Sequence, residues 1–128
     1  KEQIRNFLFE KNYSVKDIGT FSHDSVDYPL IAKEVAQNIA AKKFSRGILL
    51  CGSGIGMSIA ANRFRNVRAA LCHNLYTVEL SRKHNDANIL ALGGRILASG
   101  LALEMVDRFL HTDFEGERHQ RRLEEIDT

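Results

Sequence analysis

The sequence lacks tryptophan and contains only one proline, Pro29, and two cysteines, Cys51 and Cys72, among its 128 residues. Two cysteines are too few for a disulfide framework, so we expect free thiols, as in a reducing cytoplasm. No apolar run approaches the roughly 18 to 20 residues that cross a bilayer, which argues against a membrane protein. The formal net charge of +2 is too small to indicate a nucleic-acid partner.

The composition is that of an ordinary globular domain, with 44% hydrophobic and 27% charged residues. Such a chain is long enough to bury its own core, and it predicts one domain over residues 1–128. Short apolar runs, typical of buried parallel strands, alternate with segments of helical periodicity. The predicted strands are residues 13–19, 46–51, 67–72 and 87–92, and the predicted helices are 1–11, 30–42, 54–64, 75–84, 99–110 and 115–127. This alternation predicts a doubly wound, Rossmann-like α/β fold, a three-layer sandwich with a mostly parallel sheet.

A glycine-rich turn follows the second predicted strand, in the stretch "CGSGIGMSIAAN" that begins at Cys51. The dinucleotide-binding fingerprint requires a small residue where this sequence has Ile59. A P-loop requires a lysine after the glycines, which is absent here. A thiol phosphatase loop would place arginine six residues after the cysteine, where Met57 stands. The turn therefore matches none of these three nucleotide or phosphate loops.

Alternating glycines between a strand and a helix still allow backbone N–H groups to converge on one point. The positive end of the helix dipole adds to this field, so the turn is suited to an anion such as a phosphate or an enediolate. Cys51 beside such a turn is either a reactive thiol or a small buried hydrophobe, and its position alone leaves both open. Cys72, at the end of the next strand, is more typical of core filler.

Three further motifs accompany the turn: "DYP" at 27–29, "SRKHNDANILALGGR" at 81–95 and "FEGERHQRR" at 114–122. Together, and in this order, the four motifs resemble the sugar-phosphate isomerase family of ribose-5-phosphate isomerase B, which also holds the galactose-6-phosphate isomerase subunits. The resemblance covers essentially the whole chain. It implies the doubly wound fold already predicted from the alternation of strands and helices.

The resemblance also implies an activity: the interconversion of ribose 5-phosphate and ribulose 5-phosphate through a cis-enediol, in the pentose phosphate pathway, without metal or another cofactor. It implies a homodimer or a dimer of dimers, with the active site between subunits and the C-terminal residues serving the neighbour's site. Two alternatives stay open. One is an isomerase of allose or galactose phosphate, although Cys51 and His84–Asn85 argue against the galactose branch. The other is a non-catalytic module that binds phosphorylated sugars on the same fold.

The resemblance assigns roles to particular residues. Cys51 would be the base that moves the proton between C1 and C2, Ser53 would shuttle the hydroxyl proton, and His84 would open the sugar ring. The further implied contacts are the backbone N–H groups of Gly52, Gly54, Gly56 and Ser58 for the enediolate, Tyr28, Asn85 and His119 for the sugar, and Arg95, Arg118 and Arg122 for the phosphate. The chemistry agrees, because an enediolate needs a base and nearby donors, ring opening suits histidine, and arginine binds phosphate bidentately.

Simpler interpretations exist for single residues. His84 could merely end a helix, the arginine cluster could be a solvated helix face with i,i+4 pairs, and Tyr28 could be a turn aromatic. Three other histidines match no motif and are expected at the surface: His23, His73 and His111. No His, Cys and Asp residues occur at metal-ligand spacing. The joint occurrence of the four motifs outweighs these simpler interpretations.

Members of the resembled family begin with a strand that ends in an Asp-His motif, whose side chains are implied to contact the sugar. This sequence begins inside the first predicted helix, where Ile4 and Leu8 share a face. We therefore expect about 15 residues, one strand and its turn, to precede Lys1. A parallel sheet without that strand would leave backbone groups and apolar helix faces uncovered.

Overall fold

Three parallel strands form the sheet in a computed structural model that describes residues 1–19 and 27–127. The strands are β1 (Gly47–Cys51), β2 (Ala69–Leu71) and β3 (Ile89–Gly93). The helices are α1 (Glu2–Glu10), α2 (Tyr28–Ala40), α3 (Ile55–Ala61), α4 (Leu75–Lys83), α5 (Ser99–His111) and α6 (Arg118–Asp127). Within the described ranges, no helix is both long and apolar enough to span a membrane.

The strand order is β1–β3–β2, and both pairs are parallel. β3 lies in the middle and is buried along its whole length, because helices cover both of its faces. Leu90 and Leu92 face the layer of α1, α4 and α5, whereas Ile89 and Ala91 face α2 and α3. The prediction of a doubly wound three-layer sandwich with a parallel sheet is thereby confirmed.

The winding of the chain decides which residues can meet. Each parallel strand ends at the carboxyl end of the sheet, and the helix that follows returns the chain to the amino end. Cys51 closes β1 opposite Gly93, at the carboxyl end. α4 runs back to the amino end, where the carbonyl of Asn88 accepts the N–H of Gly47 (2.9 Å) and its side chain accepts the N–H of Arg68 (2.8 Å).

The strand predicted at residues 13–19 is wrong. None of these residues pairs with β1, β2 or β3, and a strand requires a hydrogen-bonded neighbour. Tyr13 and Val15 pack against the layer of α1 and α5, which accounts for their alternating pattern without a ladder. Between this segment and the side of β1 that faces away from β3 lies a cavity of about 660 Å³, also lined by α1 and α2.

Other boundaries differ by a few residues, each for a local reason. α2 begins two residues earlier than predicted, with Pro29 in its first turn, where the missing N–H of proline costs no helical bond. α6 begins only at Arg118, because Gly116 and Glu117 have φ angles of 70° and 51°, which a right-handed helix excludes. His73 and His111 are exposed as predicted, and His23 lies outside the described residues.

Candidate active site

The first part of the candidate site is the turn from Cys51 to Ser58, which we call the thiol turn. Cys51 is a free, partly exposed thiol whose Sγ accepts the backbone N–H of Gly54 at 3.1 Å. Gly54 is the N-cap of α3, and the Oγ of Ser53 accepts the N–H of Ile55 at 3.3 Å. The sulfur therefore lies within the same turn that presents the first N–H groups of α3, which have no partners inside the helix.

Gly54 is required by both conformation and packing. Its φ angle is +81°, in the left-handed region. A Cβ at this position would lie 2.7 Å from Leu71 Cδ1 and 2.9 Å from the backbone of Leu92. Because the second contact is with the backbone of the central strand, the clash cannot be relieved by a rotamer change. The turn thus depends on glycine to pack against β3.

We expect Gly54→Ala to lower the free energy of unfolding by about 2–4 kcal/mol, the sum of left-handed strain and overpacking. Urea denaturation followed by circular dichroism measures this. Gly100→Ala in α5 is the matched control, because nothing lies within 4 Å of its added Cβ. That control should raise stability by about 0.5 kcal/mol. Equal effects of the two substitutions would contradict the packing role of Gly54.

Two side chains predicted to bind substrate lie against the thiol turn. A Cβ added to Gly56 would lie 2.2 Å from the hydroxyl oxygen of Tyr28, so the phenol occupies the space that glycine leaves. A Cβ on Gly52 would lie 3.4 Å from Cδ and Nε of Arg95. Glycine at both positions therefore lets a phenol and a guanidinium approach the backbone beside Cys51. The Oγ of Ser58 is engaged within α3, where it donates to the carbonyl of Ile55 (2.7 Å).

The second part of the candidate site is a pair of stacked histidines. His84 is the C-cap of α4, and its ring lies 4.3 Å from that of His119 in α6, with 17° between the planes. His119 is only 4% exposed, and its Nε2 has no hydrogen-bond partner. Glu115 places a carboxylate oxygen 3.7 Å from that nitrogen. We call His84 and His119 the histidine pair.

Burial lowers the pKa of His119, and the positive charges of His84, Arg118 and Arg122 lower it further. His119 is therefore mainly neutral at pH 7. Among the described residues, His84, Glu115 and His119 also form a group whose ligand atoms lie within 4.8 Å of one another, a cluster that sequence spacing did not reveal. The nearby guanidinium groups oppose a cation there and favour an anion.

The exposed residues predicted beside this pair are close to it in the chain. Asn85 comes after His84, and Arg118 and Arg122 lie on α6 on either side of His119. Arg118 and Arg122 do lie on a solvated helix face, as the simpler interpretation of the arginine cluster predicts. The histidine between them is buried, which that interpretation did not predict. The same helix end thus carries two exposed guanidinium groups and a neutral imidazole.

Within one chain, the thiol turn and the histidine pair lie at opposite ends of the sheet. Cys51 is level with Gly93, the last residue of β3, whereas His84 precedes Ile89, the first. Strands rise about 3.3 Å per residue, so β3 spans about 13 Å between the level of Ile89 and that of Gly93. One chain therefore brings Cys51, Tyr28 and Arg95 together and, separately, His84 and His119.

The second cysteine has a different environment. Cys72 is 2% exposed at the end of β2, and burial raises the pKa of its thiol, although contacts with Thr77 and Ser81 act in the opposite direction. A buried neutral thiol of this kind behaves as a small hydrophobe. Cys72 is thus the core filler that its position predicted.

The fold and site together define a class: a doubly wound α/β protein with a thiol in a glycine-rich turn and separate arginine and histidine groups. The family model described as Ribose/Galactose Isomerase matches residues 1–126, and the chain belongs to this family.

Ribose-5-phosphate isomerase B of Escherichia coli is 45% identical over 98% of this chain and 85% of that protein. D-erythrulose-4-phosphate isomerase of Pectobacterium atrosepticum is 39% identical over 98% and 84%. The crystal structure of a ribose 5-phosphate isomerase from Thermotoga maritima has a TM-score of 0.96 and 52% identity, covering 98% of this chain and 87% of that one.

Proposed function

We propose that this protein interconverts ribose 5-phosphate and ribulose 5-phosphate, as a metal-independent aldose–ketose isomerase. The observation that carries the proposal is the hydrogen bond from Gly54 N–H to Cys51 Sγ, because it joins a thiol to an anion-binding turn. A donor of this kind interacts more strongly with a thiolate than with a thiol. A base and a place for developing negative charge are the two requirements of enediolate chemistry.

In the proposed reaction the Cys51 thiolate removes the proton from C2 of the open-chain aldose. The electron pair forms the C1–C2 double bond, and negative charge develops on O1 near the backbone N–H groups of the thiol turn. The hydroxyl proton moves from O2 to O1, and we assign this transfer to the hydroxyl of Ser53, whose Oγ accepts the N–H of Ile55 in the same turn. The thiol then returns its proton to C1, which yields the ketose and restores the thiolate.

The histidine predicted for ring opening lies at the other end of the sheet, as do Arg118 and Arg122, two of the three arginines predicted for the phosphate. We infer that His84 and Asn85, together with Arg118, His119 and Arg122, serve the thiol turn of a second copy of the chain. The support is the separation of Cys51 from His84 within one chain. A neutral His119 beside two guanidinium groups suits a phosphorylated sugar, since an oxygen can accept from the imidazole and from arginine.

An apolar surface beside the thiol turn supports association of two copies. Ile55 and Ile59 are one helical turn apart on α3 and are 51% and 55% exposed, and Ile96 is 55% exposed. Exposed isoleucines that cluster on one surface mark a protein interface more often than a solvated face. A homodimer, alone or paired into a dimer of dimers, would cover this surface and complete the site.

Mixing two inactive variants tests the shared site. After unfolding and refolding together, equal amounts of Cys51→Ala and His84→Ala should recover about a quarter of wild-type activity. About half of the dimers are then mixed, and each mixed dimer has one site with both residues intact. If Cys51 and His84 act within one chain, the mixture stays as inactive as its components. Activity of a demonstrably monomeric form would equally contradict the proposal.

A coupled assay with ribose, allose and galactose phosphates tests the activity itself. We expect the highest kcat/KM with ribose 5-phosphate. A higher kcat/KM with a six-carbon substrate would indicate that the protein is an allose- or galactose-phosphate isomerase of the same family. Binding of these sugars without turnover would indicate a non-catalytic module. A base that must remain a thiol also fits a reducing compartment such as the cytoplasm.

A further inference from the structure

Arg82 is a charged residue that the proposed reaction does not use, yet it is only 2% exposed. Its Nη1 donates to the carbonyl of Ala87 (2.7 Å) and to the carboxylate of Asp86 (2.8 Å), and its Nε donates to the carbonyl of Thr112 (2.9 Å). The guanidinium carbon lies 6.0 Å from the centre of the Phe109 ring. A buried guanidinium with three acceptors is a costly arrangement to desolvate and indicates a specific role.

Two of these bonds hold the turn that carries His84. The chain leaves α4 through His84 and reaches β3 after Asp86, which has a left-handed φ angle of 46°. Such a conformation is strained for a residue other than glycine and persists only where neighbouring groups fix it. The buried Arg82 side chain hydrogen-bonds to this turn at Asp86 and at Ala87. These bonds limit the positions that the His84 ring can adopt.

The third bond holds the segment that carries His119. Thr112 begins the link between α5 and α6, and a second bond, from the N–H of Glu115 to the carbonyl of Lys83 (3.0 Å), ties the same link to the end of α4. His119 follows this link at the start of α6. Arg82 therefore bridges both of the segments that bring the histidine pair together.

We propose that Arg82 is a positioning residue for ring opening: it fixes His84 against His119 without touching the substrate. The proposal rests on the proposed isomerase function for its kinetic consequence, but its structural claim can be measured separately. Misplacing a catalytic group by about 1 Å can cost as much as 10²-fold in rate. Loss of Arg82 should therefore impair the step that uses His84 and spare the step that uses Cys51.

The experiment compares Arg82→Met with Arg108→Met, which removes an exposed arginine that forms an ion pair with Glu79. Each variant is assayed with ribose 5-phosphate and with erythrose 4-phosphate, whose O4 carries the phosphate and cannot close a five-membered ring. Arg82→Met should lower kcat/KM for ribose 5-phosphate roughly tenfold and leave the four-carbon substrate within about twofold. The rate at which iodoacetamide alkylates Cys51 should not change, and Arg108→Met should match wild type.

A readout independent of turnover is the imidazole titration of His119 by NMR. In wild type its pKa lies below the ordinary value because of burial and the charge on His84. Once the pair opens in Arg82→Met, that pKa should rise. Should this variant fail to fold, Asp86→Asn, which removes the charge on one acceptor, should shift both readouts in the same direction by less.

Equal losses on the two substrates, or an unchanged His119 titration in a folded Arg82 variant, would overturn the positioning role. An inactive wild-type protein would instead contradict the proposed isomerase function, while the NMR titration still decides whether Arg82 holds the histidine pair. The two failures are thereby distinguishable.

Discussion

Cys51→Ala is expected to lower kcat/KM for ribose 5-phosphate by roughly 10³-fold, because a positioned base contributes about 10²- to 10⁴-fold in rate. The methyl group of alanine cannot take the C2 proton, but it leaves the backbone of the thiol turn and its N–H groups in place. Binding of the substrate should therefore be retained. Steady-state kinetics gives the loss in turnover, and calorimetric titration with ribose 5-phosphate gives the binding.

Cys72→Ala is the matched control for this experiment. This second thiol is buried at the end of β2, and burial raises the pKa of the thiol, so it is neutral. Its side chain belongs to the core between the sheet and the layer of α1, α4 and α5, and it is not part of the thiol turn. Its loss should cost stability, through a small cavity, but leave kcat/KM within about twofold once the protein is folded. Comparable losses of activity in both cysteine variants would rule out Cys51 as the specific base.

His84→Ala should lower kcat/KM for ribose 5-phosphate by about 10²-fold, since general acid–base catalysis of ring opening is then lost. Erythrose 4-phosphate has no ring to open, and its turnover should fall by less than about threefold. The ratio of the two losses is the informative quantity, because an unfolded or misassembled enzyme would lose both activities together. Parallel coupled assays on the two substrates measure it.

His111→Ala provides a matched control, as His111 is exposed at the end of α5 and contacts the hydroxyl of Tyr13 (3.0 Å). We expect this variant to behave as wild type on both substrates. If His84→Ala reduces turnover of the two substrates to the same extent, His84 does not act in ring opening.

The elements that follow from local pattern were predictable. The run Ile89–Leu92 is apolar at every position, as a strand covered on both faces must be, and it became the buried centre of the sheet. The thiol turn was also located correctly, since its glycines and the following helix form one local unit. By contrast, residues 13–19 have a strand-like alternation, but a strand depends on a partner that local sequence does not specify.

Contacts between distant segments account for what the sequence did not reveal. Arg82 lies next to Lys83 on a short helix and resembles any solvated cation, yet its burial is decided by the carbonyls of Ala87 and Thr112. Likewise, the pairing of His84 with His119 depends on how the link after α5 crosses the end of α4. Motif spacing along the chain contains no information about either contact.

The placement of Cys51 and His84 at opposite ends of the sheet has a consequence for how the activity depends on concentration. With a shared site, a single folded chain is inert, and turnover appears only after two chains meet. Specific activity should then fall on dilution below the dissociation constant of the dimer, and in the dilute limit total rate should grow with the square of the chain concentration. A newly synthesised chain would therefore have no isomerase activity until it associates with a second chain.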